Sequence, residues 1–139
     1  MIKKNIAGVM PSHVIYSSCD EKPAGFSKFW LEGQLRKILN FEGAIFSDDM
    51  GMKAAQIYEK DLVSRVRKCL EAGCDMVLVC NQGDNVDKVL NKLLWKQEPT
   101  SKERLSNMRR DYLKNNEGDS SQLNFCYEGA KKAIKELKK

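Results

Sequence analysis

The chain has 139 residues and a formal net charge of +5, from 24 Lys plus Arg against 19 Asp plus Glu, with 42% hydrophobic residues and one histidine. That length suits one small domain or part of a larger one. The longest apolar run, Met76 to Cys80, falls far short of the roughly 20 residues that cross a bilayer, and after Lys3 and Lys4 the residues Gly8, Pro11, Ser12 and His13 interrupt any apolar stretch of secretory length, so a cytoplasmic, non-membrane protein is expected.

Ile6 to Met10 forms the first short apolar segment, with the Val and Ile content of a strand buried on both faces. Ser27 then stands where it can cap a helix in which Trp30, Leu31, Leu35, Ile38 and Leu39 recur at intervals of three and four, ending near Asn40. Gly43 to Phe46 reads as a second strand. A second helix is expected over Lys53 to Ala72, where Ala54, Ile57, Tyr58, Leu62, Val66, Cys69 and Leu70 are apolar and Gly73 supplies a left-handed cap. Met76 to Cys80 is the third strand, and the turn-rich Asn81-Gln82-Gly83-Asp84-Asn85 leads into a helix marked by Val86, Val89, Leu90, Leu93 and Leu94. Thr100-Ser101-Lys102-Glu103 reads as a capping box opening a polar helix toward Leu113. Asn115 to Ser121 reads as a loop, and a last helix is expected over Leu123 to Leu137.

Alternating strands and helices force a parallel sheet, so the fold class is α/β. Three such strands leave both edges unpaired and make only about three eighths of a closed eight-stranded barrel of TIM type. Residues 1–95 are therefore expected to be the last βα units of a partial TIM-type barrel, and residues 96–139 a tail of extra helices. The tail holds 11 basic and 7 acidic side chains; the acids are interspersed, so a solvated helix surface is expected in preference to nucleic-acid binding. The five cysteines, Cys19, Cys69, Cys74, Cys80 and Cys126, form no C-x-x-C pair, and with a single histidine they point to packing or inert thiols in place of a zinc site. Cys74 and Cys80 in particular read as packing residues.

In a parallel sheet the ligand edge is the one where the strands end and the following helices begin. Three clusters fall there: Pro11-Ser12-His13, Ser47-Asp48-Asp49, and Asn81. One of the paired aspartates suits a helix cap, opposing the dipole and accepting from free N–H groups. A cap does not require two acids, and the second reading of Asp48 is a nucleophile facing a pocket. A divalent-metal reading is weak, because no matching acids follow the other strands. His13 suits either a structural hydrogen bond or a pocket role. Asn81 suits either a contact with a bound hydroxyl or amide, or the hold on its own turn.

Four strings in order, Val9-Met10-Pro11-Ser12-His13-Val14-Ile15-Tyr16, Lys22-Pro23-Ala24-Gly25-Phe26-Ser27 with Trp30-Leu31 and Leu35-Arg36, Phe41-Glu42-Gly43-Ala44-Ile45-Phe46-Ser47-Asp48-Asp49-Met50-Gly51-Met52, and Glu71-Ala72-Gly73-Cys74-Asp75-Met76-Val77-Leu78-Val79-Cys80-Asn81, resemble the later barrel strands of glycoside hydrolase family 3, in particular its bacterial cytoplasmic β-N-acetylglucosaminidases of peptidoglycan recycling. The resemblance covers roughly residues 5 to 95 and implies a retaining β-N-acetylhexosaminidase that removes terminal N-acetylglucosamine from anhydro-muropeptides without a cofactor. It implies Asp48 as nucleophile, with His13 and Asn81 as lesser substrate-binding candidates. The family's acid/base Asp–His dyad and its Lys-His-Phe-Pro-Gly sugar-binding motif do not occur in this sequence. The chain is therefore expected to resemble a carboxyl-terminal portion, inactive alone and completed by a separate amino-terminal half. The rival expectation is a non-catalytic remnant whose strand edges self-associate.

Overall fold

The computed structural model describes residues 6–116, and side chains as far as residue 108. Three strands, β1 (Gly8–Val9), β2 (Ala44–Asp49) and β3 (Met76–Leu78), form one sheet in sequential order with every pairing parallel. The α/β expectation holds as a small parallel sheet with helical crossovers, and the strands overlap the three apolar segments. Gly8 pairs with Ala44 and Val9 with Ile45; Phe46 pairs with Met76 and Asp49 with Leu78, an irregularity that places an extra residue of β2 between those pairs.

A single 3-10 turn (Ala24–Phe26) precedes a helix of π type (Phe29–Ile38). Ser27 Oγ accepts from Trp30 N at 3.2 Å, so the expected cap is present. Asn40, with φ at +50°, turns the chain beyond the end of that helix. The widening to i→i−5 bonding, as in Leu39 N to Gln34 O at 2.9 Å, turns Ile38 and Leu39 outward, although their spacing predicted an apolar contact face.

The helix expected over Lys53 to Ala72 is two helices, α1 (Lys53–Tyr58) and α2 (Leu62–Ala72). Asp61 breaks it: its carboxylate accepts from Ser64 N at 2.7 Å and starts α2 afresh. Gly73 ends α2 at φ +116°, where an L side chain is strained, and its N–H bonds back to Leu70 O. α3 (Gly83–Lys92) and α4 (Pro99–Asn116) follow. Thr100 and Ser101 lie inside α4 instead of capping it, because Pro99 already occupies the first turn, where its missing N–H is harmless. Asn115, expected to open a loop, is still helical. The expected helix over Leu123 to Leu137 and Cys126 lie outside the described residues. Among the described residues no helix is long and apolar enough to cross a membrane.

The helices cover one face of the sheet. Ile45 is fully buried there among Phe26, Leu31, Met50, Val66, Cys69 and Val89, with Val9, Val77 and Val79 packed against the cluster. Met76, which alternates with Val77 along β3, is 41% exposed, and Met10 beyond β1 is 52% exposed. The core under the helix layer is thus well filled, while on the opposite face Ala44 is fully buried and Met76 is exposed.

Two compact units divide the chain, Met1–Met108 and Arg109–Lys139. Within the first, Arg104 and Ser101 are bonded to Asp75 at the start of β3. In the second unit the backbone is described only to Asn116, at the end of α4.

Candidate active site

Parallel strands bring their carboxyl ends to a single edge, and there the sequence clusters meet. His13, only 8% exposed, stacks on Phe26 with ring centroids 5.2 Å apart. Its Nε2 lies 3.1 Å from the main-chain oxygen of Asp49; a carbonyl only accepts, so that nitrogen carries the proton. His13 Nδ1 is buried without a partner among the described residues.

The two aspartates differ in what already holds them. Asp49 Oδ1 accepts from Gly51 N at 2.8 Å and from Cys80 N at 2.9 Å, so this carboxylate ties the loop after β2 to the end of β3. Partial burial pushes its pKa up, but the Cys80 and Gly51 donors and the neighbouring His13 outweigh that and hold it below the ordinary value. Among the described residues Asp48 makes one side-chain bond, accepting from its own neighbour Asp49 N at 2.8 Å, and it is partly exposed. Of the pair, Asp49 carries the bonds that join two segments, and Asp48 is the less engaged among the described residues.

The irregular pairing between Phe46 and Asp49 explains how adjacent acids come to do different things. Ser47, fully buried, uses its Oγ to accept from Leu78 N at 2.9 Å where a regular ladder would offer a carbonyl. Leu78 O then accepts from Met50 N at 2.8 Å. Bulges of this kind re-aim side chains at the rims of sheets. Gly51 completes the turn because a Cβ there would lie 2.9 Å from Gln82 Nε2 and within 3.2 Å of both Asp49 carboxylate oxygens.

Asn81 follows β3 with φ at +56°, a conformation Asn tolerates better than most residues, and it is exposed. The backbone accounts for the turn reading of Asn81. Cys80 is exposed instead of packed, because β3 ends at Leu78 and the chain leaves the core. Partial desolvation and the adjacent Asp49 raise its thiol pKa, which disfavours a thiolate nucleophile. Cys74 and Cys69 are buried as expected, and the Cys74 thiol together with burial keeps Cys69 protonated far above its ordinary range.

Sequence reasoning missed the anchor at the opposite edge. Asp75, its side chain 2% exposed, accepts from Arg36 at 2.8 Å, from Arg104 at 2.9 Å and from Ile45 N at 2.8 Å. Arg36 also donates to the carbonyls of Phe41 at 2.8 Å and Gly43 at 2.6 Å. An acid immediately before a buried apolar strand is the signal that would have marked it, since a buried carboxylate must have partners.

Residues 1–110 match the N-terminal domain of glycosyl hydrolase family 3. A β-hexosaminidase of Thioalkalivibrio sulfidiphilus is 49% identical over 108 residues, covering 78% of this chain and 31% of its own length. That of Glaesserella parasuis is 48% identical over 112 residues, covering 80% and 33%. Among solved structures, NagZ from Neisseria gonorrhoeae superposes with a TM-score of 0.67 at 40% identity, over 76% of this chain and 29% of that one. CbsA from Thermotoga neapolitana gives 0.60 at 34% identity, over 77% and 26%. The chain thus spans about a third of the length of the curated relatives it matches.

Proposed function

The chain belongs to glycosyl hydrolase family 3, and from that premise we propose that it forms one wall of the TIM-type barrel of a retaining β-N-acetylhexosaminidase, with Asp48 as the nucleophile. The observation that carries this reading is the division of labour at the rim: Asp49 is committed to Gly51 N and Cys80 N, whereas among the described residues Asp48 accepts from Asp49 N alone. The exposure of Met76 on the face away from the helices supports the wall, because a barrel strand needs side chains from facing strands to fill that side.

In the proposed reaction a carboxylate oxygen of Asp48 forms a bond to the anomeric carbon of a terminal N-acetylglucosamine as the bond from that carbon to the glycosidic oxygen breaks. The departing oxygen takes a proton. Water then gives a proton back to the group that protonated the departing oxygen and attacks the same carbon as its bond to Asp48 breaks, releasing the sugar with retained configuration and returning Asp48 to its carboxylate. Asp49 is not the acid, because a group held below the ordinary carboxylate range has no proton to give near neutrality. The acid comes from another stretch of the barrel, and without it the proton-transfer help of about 10²- to 10⁴-fold is lost. His13 acts as a positioning residue: its bond to the Asp49 carbonyl holds the end of β2, which carries both acids. Asn81 is the substrate-facing candidate in the turn after β3. The substrate is an N-acetylglucosamine-bearing anhydro-muropeptide, processed in the cytoplasm during peptidoglycan recycling.

The test is complementation. The chain mixed with a separately produced amino-terminal barrel half, taken from a β-hexosaminidase relative, hydrolyses an aryl N-acetyl-β-glucosaminide, and the same mixture carrying Asp48→Asn does not. Activity that survives Asp48→Asn removes Asp48 from the mechanism. The second reading, a non-catalytic module that self-associates, is favoured by the same exposed face. A stable homo-oligomer on size exclusion that refuses the added half and shows no turnover selects it.

A further inference from the structure

The turn that ends α2 sets two thiols side by side. Gly73, at φ +116°, donates its N–H to Leu70 O at 3.0 Å, and Cys74 N donates to Cys69 O at 3.3 Å. This pair of bonds is the Schellman arrangement, in which the residue after the left-handed glycine packs on the residue five places before it. Here both residues are cysteines. Cys69 is fully buried and Cys74 is 5% exposed, and the proposed glycosidase chemistry uses neither.

Both thiols donate to one acceptor, the main-chain oxygen of Gly25, Cys69 Sγ at 3.3 Å and Cys74 Sγ at 3.8 Å. Gly25 leads to the rim. The ring of the next residue, Phe26, stacks on His13, a Cβ at Gly25 would lie 3.6 Å from His13 Nδ1, and His13 Nε2 donates to the Asp49 carbonyl at 3.1 Å. Direct contacts thus run from the end of α2 to the end of β2. Coupling along such a path needs an element with two discrete arrangements, and a dithiol has two. Cys74 also lines a cavity of about 100 Å³, together with Leu70, Gly73, Trp95 and Arg104. A water takes up about 30 Å³, so hydrogen peroxide fits there and a bulkier oxidant does not.

We propose that Cys69 and Cys74 form a reversible disulfide when hydrogen peroxide enters this cavity, and that the change of bonding at Gly25 is passed to His13 at the rim. Cys74 Sγ first attacks the peroxide: an S–O bond forms, the O–O bond breaks, and the thiol proton leaves with the departing oxygen as water. Cys69 Sγ then attacks the sulfur of that sulfenic acid. The S–S bond forms, the S–O bond breaks, and the Cys69 proton leaves with the oxygen as a second water. Two thiols are oxidised by two electrons and one peroxide is reduced to two waters. Gly25 O loses both sulfur donors, and a buried acceptor deprived of its donors favours a shifted segment. Burial and the Cys74 thiol keep Cys69 protonated, so the step is slow and answers sustained oxidant.

The chain has one histidine, so the imidazole signals in a proton spectrum belong to His13 alone. In the 139-residue chain carrying Cys19→Ser, Cys80→Ser and Cys126→Ser, peroxide removes two hydrogens from the intact mass and dithiothreitol restores them. A second pair of His13 signals grows in step with the disulfide and vanishes on reduction. Adding Cys69→Ser abolishes the loss of hydrogens. If the triple variant does not fold, the parent chain gives the same readings, with the disulfide located by peptide mapping without reduction. Thiols that stay free in a large excess of peroxide, oxygen added to Cys74 with no disulfide following, or a disulfide that leaves the His13 signals in place overturns the proposal. These readouts use neither Asp48 nor turnover, so failure of the glycosidase proposal leaves them untouched.

Discussion

The two edges of the small sheet use the same side chain for opposite ends. At the amino-terminal edge Asp75 is sealed from water between Arg36 and Arg104 and also holds Ile45 N, so three bonds to one carboxylate tie β2, the π-type helix and α4 together. At the carboxyl-terminal edge Asp49 does a milder version of that job with two backbone donors, and one residue earlier Asp48 is left nearly uncommitted. The contrast teaches that a carboxylate is readied for chemistry by what its neighbours leave undone. A fully satisfied acid is rigid and inert, and an acid whose neighbour has taken over the structural task is held in place yet open to a ligand.

The largest effect expected is on chemistry alone. Asp48→Asn keeps the shape and the bond from Asp49 N, so unfolding by urea should be within about 0.5 kcal/mol of the parent, while the complemented enzyme loses at least about 10³-fold in kcat/KM. A matching loss of stability would mean that Asp48 is a second structural acid and would erase the distinction between the two edges. Next comes Asp75→Ala, which leaves two arginines facing each other without a counter-charge. It should cost about 3–5 kcal/mol of stability, read from the urea midpoint. Adding Arg36→Met and Arg104→Met to that variant should recover part of the loss, since an unpaired buried charge is worse than an apolar replacement. No recovery would show that the bonds to Ile45 N and to the Phe41 and Gly43 carbonyls matter more than the charge balance.

How much of this could be read in the residues varies with the kind of force involved. The parallel α/β plan was legible because Val, Ile and Leu runs separated by helical patterns admit few other arrangements, and the Gly73 cap was legible because only glycine is at ease at its φ of +116°. The break at Asp61 was not seen, because Ile57, Tyr58, Leu62 and Val66 keep an apolar spacing straight across it, although an aspartate three residues before Ser64 was a cap in plain view. The meeting of His13, Asp49 and Cys80 at one rim followed from topology. Which of two adjacent aspartates would be consumed by the backbone did not, since that depends on an extra residue in β2 and on Ser47 replacing a ladder carbonyl, and both are settled by packing against β3. Arg65 was equally hidden: its place in the helical repeat marks it as one more charged residue of α2, and only the fold shows it buried and short of acceptors.

Asp49 gives the smallest and most selective test of the comparison. Asn at this position still offers an oxygen to Gly51 N and Cys80 N, so Asp49→Asn forfeits only the charge assistance, about 1 kcal/mol at neutral pH. The pH dependence carries the signature. Because the folded pKa of Asp49 lies below its unfolded value near 3.9, the unfolded chain binds the proton more readily, and the contribution is complete above that value and lost as pH falls through the lower folded one. Asp20, lowered chiefly by its bond from Ser27, and Glu59, lowered chiefly by Lys68, titrate in the same acid range, so the quantity to measure is the difference between parent and variant. The gap in stability should be constant from neutrality down to about pH 5 and close as pH falls below about 3.9. A gap that persists in acid would mean that the substitution disturbs the turn at Gly51 through shape, and that the rim is braced by fit in place of charge.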